Sequence, residues 1–289
     1  MNNPLTQQAT GLTVAPASLE EWNLVAEWCV GEGWNPGTGD VAAFHPTDPG
    51  GFFLGRIDGR PVSAVSVVNY GDRYAFLGFY LVVPEERGRG LGLATWRAAF
   101  PHAGDRLVGL DAVPAQEATY RRSGFVSVHG TVRWAGRPRR TGRPGPGTVP
   151  VTGEQLAAIA AYDRHCFPAD RPAFLGRWLT APGHRAFVRL DEGRITGYGA
   201  IRPSQDGHRI GPLFADTRAD AEALFDSLTA HLGDEEEVAV DMPEPQTAAA
   251  ALAEERGLVA QFPTTRMYTG PAPEVRAERV FGVTSLELG

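Results

Sequence analysis

A chain of 289 residues is long enough for two ordinary domains, each with its own core, and its 43% hydrophobic share is that of a soluble globular protein. A net charge of -7 argues against a general nucleic-acid binder, which shows a basic face or balance, and tolerates a cationic substrate. Cys29 and Cys166 are the only cysteines, too few for a disulfide framework and without zinc spacing, so buried reduced thiols and no metal are expected.

Residues 1–10 are polar and lack the charged start and apolar core of a signal peptide, and no apolar run approaches the roughly 20 residues of a membrane span. A cytoplasmic protein without membrane contact is the expectation. Ser18-Leu19-Glu20-Glu21 has the spacing of a capping box, and Leu19, Trp22, Val25, Ala26 and Cys29 recur at helical intervals, which predicts an amphipathic helix over 18–30. Turn formers at 31–37 end it, in a loop that carries Trp34 and Asn35. Two β-rich runs, 51–57 and 62–70, flank Asp58-Gly59 and read as a hairpin. A third strand over 73–83 is nearly all apolar, hence central, so an antiparallel meander opens the fold.

That strand ends at Pro84 and delivers the chain into Arg87-Gly88-Arg89-Gly90-Leu91-Gly92, followed by a helix over 91–100. Without side chains at Gly88, Gly90 and Gly92, backbone N–H groups approach an anion closely, and the helix start adds donors and roughly +0.5 charge. A pyrophosphate is the natural guest. No Gly-Lys-Ser/Thr follows, as a Walker loop requires, and Gly90-x-Gly92 leads to Thr95 instead of a third glycine. Asp111 nevertheless stands where a ribose-binding acid would, which keeps a dinucleotide site open. A strand at 106–111, a helix over 116–122 and a strand from 126 complete this half.

Two stretches carry a family resemblance. Val82-x-Pro84-x-x-Arg87-Gly88-x-Gly90-Leu91-Gly92 resembles the coenzyme A signature of the GNAT N-acetyltransferase superfamily, with every position filled. Thr119-Tyr120-Arg121-Arg122-Ser123-Gly124-Phe125 is similar to the second GNAT signature, in which Tyr precedes Gly-Phe by four residues; the Asn often found seven residues before it is replaced by Val113.

Residues 135–150 alternate Arg, Gly and Pro without apolar periodicity and read as a solvated linker. Beyond it the first half is repeated. Asp58-Gly59 is echoed by Glu192-Gly193, Leu110-Asp111 by Val240-Asp241, Gly124-Phe125 by Gly257-Leu258, and Thr131-Val132-Arg133-Trp134-Ala135-Gly136 by Thr265-Arg266-Met267-Tyr268-Thr269-Gly270. Where the repeat should present its glycine loop, it places Asp216 and Asp220 and no glycine after Gly211. Each like-charge contact at about 4 Å opposes a pyrophosphate by roughly 4 kcal/mol. His165 and Cys166 are neighbours on one predicted helix and point apart, so they read as packing or surface residues.

The resemblance implies a tandem GNAT protein of α/β class: a domain over 1–136, a linker at 137–150 and a degenerate domain over 151–289, each a mixed, mostly antiparallel sheet flanked by helices. It further implies acetyl-CoA as co-substrate and direct transfer of its acetyl to a primary amine. The pyrophosphate is expected on the amides of Arg87, Gly88, Arg89, Gly90, Leu91 and Gly92, with the pantetheine paired to the strand at Val82 and Val83. Tyr120 is then the general acid for the thiolate. An alkylamine is neutral in about one molecule per 2,500 at pH 7, a handicap of about 4.6 kcal/mol, so a base is useful. Tyr80, Asp111 and Asp40 are the candidates, and Trp34, Asn35 and Asp40 stand where this fold meets its acceptor. A homodimer is compatible with all of this. An acyl-CoA sensor or structural module without turnover is the alternative, and the acceptor is a small molecule or peptide amine.

Overall fold

Ser18 Oγ accepts the Glu21 N–H at 3.2 Å while the Glu21 carboxylate accepts the Ser18 N–H at 2.9 Å, so the first helix starts at its capping box. The computed structural model describes residues 11–289, and the polar segment at 1–10 lies outside the described residues. The first half runs β1 (Leu12–Pro16), α1 (Leu19–Gly31), α2 (Asp40–Phe44), β2 (Phe52–Ile57), β3 (Arg60–Tyr70), β4 (Tyr74–Val82), α3 (Leu91–Ala99), β5 (Leu107–Ala112), α4 (Glu117–Arg122) and β6 (Val126–Gly136). The second runs β7 (Thr148–Pro150), α5 (Leu156–Asp163), α6 (Pro172–Thr180), β8 (Arg185–Asp191), β9 (Arg194–Pro203), β10 (His208–Ala215), α7 (Arg218–Thr229), β11 (Val238–Pro243), α8 (Thr247–Glu255), β12 (Val259–Tyr268) and β13 (Val280–Gly282).

The repeat is written into the backbone. Asp58 and Gly59 turn the β2–β3 hairpin at φ 48° and 79°, and Glu192 and Gly193 turn β8–β9 at φ 48° and 80°. At the end of α4 the Phe125 N–H bonds Tyr120 O at 3.1 Å and the Gly124 N–H bonds Arg121 O at 3.0 Å. At the end of α8 the same pair recurs, Leu258 to Ala253 and Gly257 to Glu254, both at 2.9 Å. Ala253 is therefore the structural counterpart of Tyr120.

Among the described residues the strands form one mixed sheet in the order β1-β2-β3-β4-β5-β12-β6-β11-β10-β9-β8-β7, with β13 on β10. Only β4–β5 and β10–β11 are parallel. The halves do not each close their own sheet. β12, from the second half, lies between β5 and β6 of the first, while β6 lies between β12 and β11. Each half thus lends its sixth strand to the fifth strand of the other.

Alternation along the strands explains the two covered faces. Phe53, Val65, Val67, Ala75 and Leu77 join Trp96 of α3, Tyr120 of α4 and Phe125 just before β6. Their neighbours Phe52, Leu54, Ala64, Val68 and Phe76 point the other way, into a core shared with α1, α2, α5 and α6. Phe44 of α2 meets Phe174 and Trp178 of α6 with ring centroids 4.6 and 5.1 Å apart, contacts of about 0.5–1.5 kcal/mol each beyond their area.

The Pro/Gly/Arg stretch differs from a solvated linker. Pro138 and Gly145 are buried, and a Cβ at Gly145 would come 2.3 Å from the Ala223 carbonyl oxygen. Arg139 N–H bonds Arg256 O at 2.7 Å, and Arg137 and Arg140 pair with Glu235 and Asp234. With its charges answered by α7–β11 loop acids, the stretch lies along the second half instead of spanning solvent. Cys29 and Cys166 are buried free thiols, and burial pushes both well above the ordinary thiol range.

Candidate active site

Two parallel strands that part company create the site. β4 and β5 pair only from Tyr74 with Leu107 to Phe76 with Gly109 and then splay. β5 is held on its far side by β12, while β4 stays on β3. The wedge between them opens into a cavity of about 460 Å³ whose walls include Tyr80, Val82, Arg87, Asp111 and Tyr120. At the bend in β4, Phe79 takes φ 47° and the register against β3 slips between Ala64 and Ser66. A bulky residue held there costs about 1–3 kcal/mol, which its packing on Trp22 with centroids 5.8 Å apart offsets, and it re-aims the strand beyond it.

At the outer end of the wedge lies the glycine loop. Gly88 and Gly90 have φ 78° and 77°, a region that disfavours side chains. A Cβ at Gly92 would stand 2.9 Å from the Tyr80 hydroxyl, so this position is small for packing reasons. Gly90 caps α3 without any side-chain hydrogen bond, and among the described residues the N–H groups of Gly88 to Leu93 bond no protein acceptor. A row of free donors at a helix start is what a phosphate needs. The arginines contribute less than their charge suggests. Arg87 Nε bonds Val82 O at 2.9 Å and its Nη2 pairs with Glu32, while Arg89 pairs with Glu86. With Val82 O so engaged and the Val83 N–H bonded to Val62 O at 3.0 Å, the free edge for an added strand lies upstream, between Leu77 and Leu81.

The second half has the same wedge, closed twice. β10 and β11 pair from His208 to Ile210 and part, but β13 pairs with β10 at Leu213 and Phe214 and fills the gap. The N-terminus of α7 is capped by Thr217, whose oxygen accepts the Asp220 N–H at 3.2 Å, and the Asp220 carboxylate accepts the Thr196 hydroxyl at 3.0 Å. Neither an open strand edge nor a free helix start remains there.

The residues expected at the chemistry are placed differently from one another. Tyr120 is 8% exposed, lines the cavity, and stacks among Trp96, Phe125 and Tyr80 at 5.7, 6.1 and 6.4 Å. Burial, then the neighbouring Tyr80, pushes its phenol up, so it keeps its proton at neutral pH. Burial raises Tyr80 too, and its hydroxyl lies against Gly92, so this phenol keeps its proton at the glycine-loop end of the wedge. Asp111 has a side chain with no solvent access, and both oxygens are held by Arg266 of β12 at 2.8 Å, which removes it as a free base. Asp40 is 2% exposed, grips Arg202 at 2.6 and 2.9 Å and accepts the Gly37 N–H, outside the cavity. Burial opposes its charge, yet Arg202 holds its carboxyl below the ordinary value. Trp34 does line the cavity, with its carbonyl accepting from Arg133 at 2.7 Å and Arg209 at 3.2 Å. Asn35 instead faces the second half, exchanging two 3.1 Å hydrogen bonds with Asp206.

The inner wall of the cavity comes from residues that sequence reasoning did not single out: Arg133 on β6, Phe262 and Thr264 on β12, and Leu286 and Glu287 beyond β13. The repeat as aligned on Thr131 and Thr265 sets Arg133 opposite Met267, but the structure shifts that register by one residue: Arg133 and Arg266 take equivalent places, and each holds the equivalent aspartate across the exchanged pairing, Asp241 at 2.7 Å and Asp111 at 2.8 Å.

A splayed parallel pair, an uncapped helix after a glycine turn and a buried tyrosine in the wedge are the features of a GNAT fold, and comparison with known proteins agrees. The chain belongs to the GNAT acyltransferase family: the acetyltransferase (GNAT) family matches residues 19–125 and an acetyltransferase (GNAT) domain matches residues 159–282. A curated relative, holothin acyltransferase of Pseudoalteromonas sp. (strain SANK 73390), is 36% identical over 99% of this chain and 97% of its own. In fold the chain is similar to a candidate acetyltransferase of Pyrococcus horikoshii, with TM-score 0.80 at 21% identity over 97% and 96% of the chains. It also resembles a tandem GNAT protein from the clavulanic acid biosynthesis pathway, with TM-score 0.62 at 17% identity over 90% and 99%. Among the described residues no helix is long and apolar enough to cross a membrane, and no group of three or more His, Cys, Asp or Glu is placed to hold a metal ion.

Proposed function

We propose that the protein is an N-acetyltransferase that moves the acyl group of acetyl-CoA to a primary amine of a small acceptor by direct attack in a ternary complex. The observation that carries this reading is the asymmetry of the two halves. The first has an open wedge and free N–H groups from Gly88 to Leu93, whereas the second has both features filled. One coenzyme site per chain follows.

The donors of Gly88 to Leu93 would hold the pyrophosphate, and the β4 edge from Leu77 to Leu81 would pair with the pantetheine amides. That alignment brings the thioester to the bend at Phe79, in the wedge that Tyr120 faces. Tyr120 O–H then donates to the departing sulfur as the acceptor nitrogen bonds the acyl carbon and the carbon–sulfur bond breaks. Trp34 and Phe262 offer the acceptor an apolar surface at the inner end, and the acceptor of the curated relative, holothin, is the compound to try first.

Calorimetric titration of acetyl-CoA into the wild type and into Gly90→Asp/Gly92→Asp tests the cradle. One site per chain, with affinity lost at least 100-fold in the variant, is expected. Two sites, or undiminished binding, would refute it. Thiol release in the presence of holothin and of 2-phenylethylamine then separates transfer from binding alone; a protein that binds and never transfers is the sensor.

A further inference from the structure

The segment that plugs the second wedge goes on to furnish the first. After β13 the Val283 N–H bonds Asp241 O at 2.9 Å, and the chain crosses onto β3 and β4. Tyr70 O–H, at the end of β3, donates to Leu288 O at 2.7 Å, and a Cβ at Gly78 of β4 would come 1.7 Å from Glu287 O. Thr284, Ser285, Glu287 and Leu288 are all buried, and Thr284 Oγ1 accepts from Arg171 at 3.0 Å, so the segment is held along its length.

Glu287 is the acid this path delivers to the cavity. Its Oε2 accepts the Ser285 hydroxyl. Its Oε1 lies 3.9 Å from Arg133 Nη2 and 3.7 Å from Arg209 Nη1, beyond hydrogen-bond reach, and accepts no hydrogen bond among the described residues. The other carboxylates on the cavity wall are spoken for: Asp111 by Arg266 and Glu32 by Arg87. Arg133 and Arg209 together face Asp241 and Glu287, two charges against two, so a carboxylate sits there without an unbalanced buried charge.

We propose that Glu287 Oε1 is the acceptor-side catalytic group, receiving an N–H of the amine and taking its proton. The inference rests on the acyl-transfer reading above. As the nitrogen bonds the acyl carbon it becomes cationic; its proton passes to Glu287, the electron pair of the broken carbon–sulfur bond stays on sulfur, and Tyr120 protonates that sulfur. Solvent then returns a proton to Tyr120 and removes one from Glu287, leaving an amide and free coenzyme thiol.

Glu287→Gln, assayed by thiol release with acetyl-CoA and either holothin or 2-phenylethylamine, should lose about 100-fold in kcat/KM while its calorimetric affinity for acetyl-CoA stays within about twofold. Glu287→Ala should regain at least about tenfold with added formate. Glu287→Gln within about threefold of wild type, or no formate rescue, overturns the inference and leaves the acyltransferase reading standing. No transfer by the wild type despite acetyl-CoA binding overturns both. Should the Gln variant fail to bind acetyl-CoA, Glu287→Asp decides, because it keeps the charge beside Arg133 and Arg209. A tenfold or larger fall in kcat/KM at unchanged acetyl-CoA affinity supports the inference, and an unchanged kcat/KM overturns it.

Discussion

Tyr120 and His184 show how burial acts in opposite senses on two side chains. Burial disfavours the charged form of each, so the phenol keeps its proton and the imidazole stays neutral. For Tyr120→Phe we expect kcat about 100-fold lower with acetyl-CoA affinity unchanged, and no alkaline limb in the wild-type rate profile from this group below about pH 10. A limb near pH 8 that vanishes in the Phe variant would contradict this. His184 stacks edge-on to Trp178 at 4.8 Å with neither ring nitrogen hydrogen-bonded; burial, then Arg202, lowers its pKa from 6.5 to about 4. Since the unfolded chain takes up this proton below about pH 6.5 and the folded one only near 4, stability declines as pH falls between them. The full shift corresponds to about 3 kcal/mol, and partial solvent exposure reduces that to roughly 2. Denaturant melts from pH 7 to 4.5 should show the decline, and His184→Gln should flatten it. The glycine turn before α3 and the place of Tyr120 on α4 were legible because their signals are local: residue types at fixed spacing within one turn or one helix. Asp111 and Asp40 misled because an isolated aspartate in a sequence does not show the arginine it will meet 155 or 162 residues away.

At the scale of elements, the exchange of β6 and β12 joins the halves through matched ion pairs. Arg266 on β12 holds Asp111, and Arg133 on β6 holds Asp241, whose carboxyl stays low because Arg133 and Arg209 outweigh the burial that opposes its charge. Arg266→Ala would leave Asp111 buried without a partner and should cost about 3–5 kcal/mol in denaturant unfolding. Adding Asp111→Leu to Arg266→Met should recover most of that loss; a double variant as unstable as the Ala variant would argue that the pair is more than a charge balance. Strand and helix positions followed from periodicity, but which strand neighbours which did not. A pattern of alternating burial fixes the two faces of β6 and β12, and is silent about the identity of the strands at their edges.

For the whole molecule, the repeat foretold the tandem architecture and the missing glycines fall in the half whose helix start is capped, yet nothing in the local pattern showed β13 lodged against β10. The exchanged strands also set an order of events. A ribosome releases β5 and β6 early, but β12, which must lie between them, only after β7 to β11 and α5 to α8 have emerged. At cellular elongation rates that is a delay on the order of ten seconds, during which two bare strand edges face solvent or a chaperone. The nascent first half is therefore a cleft sheet awaiting its keystone, and synthesis must nearly finish before the acyltransfer wedge acquires its inner wall.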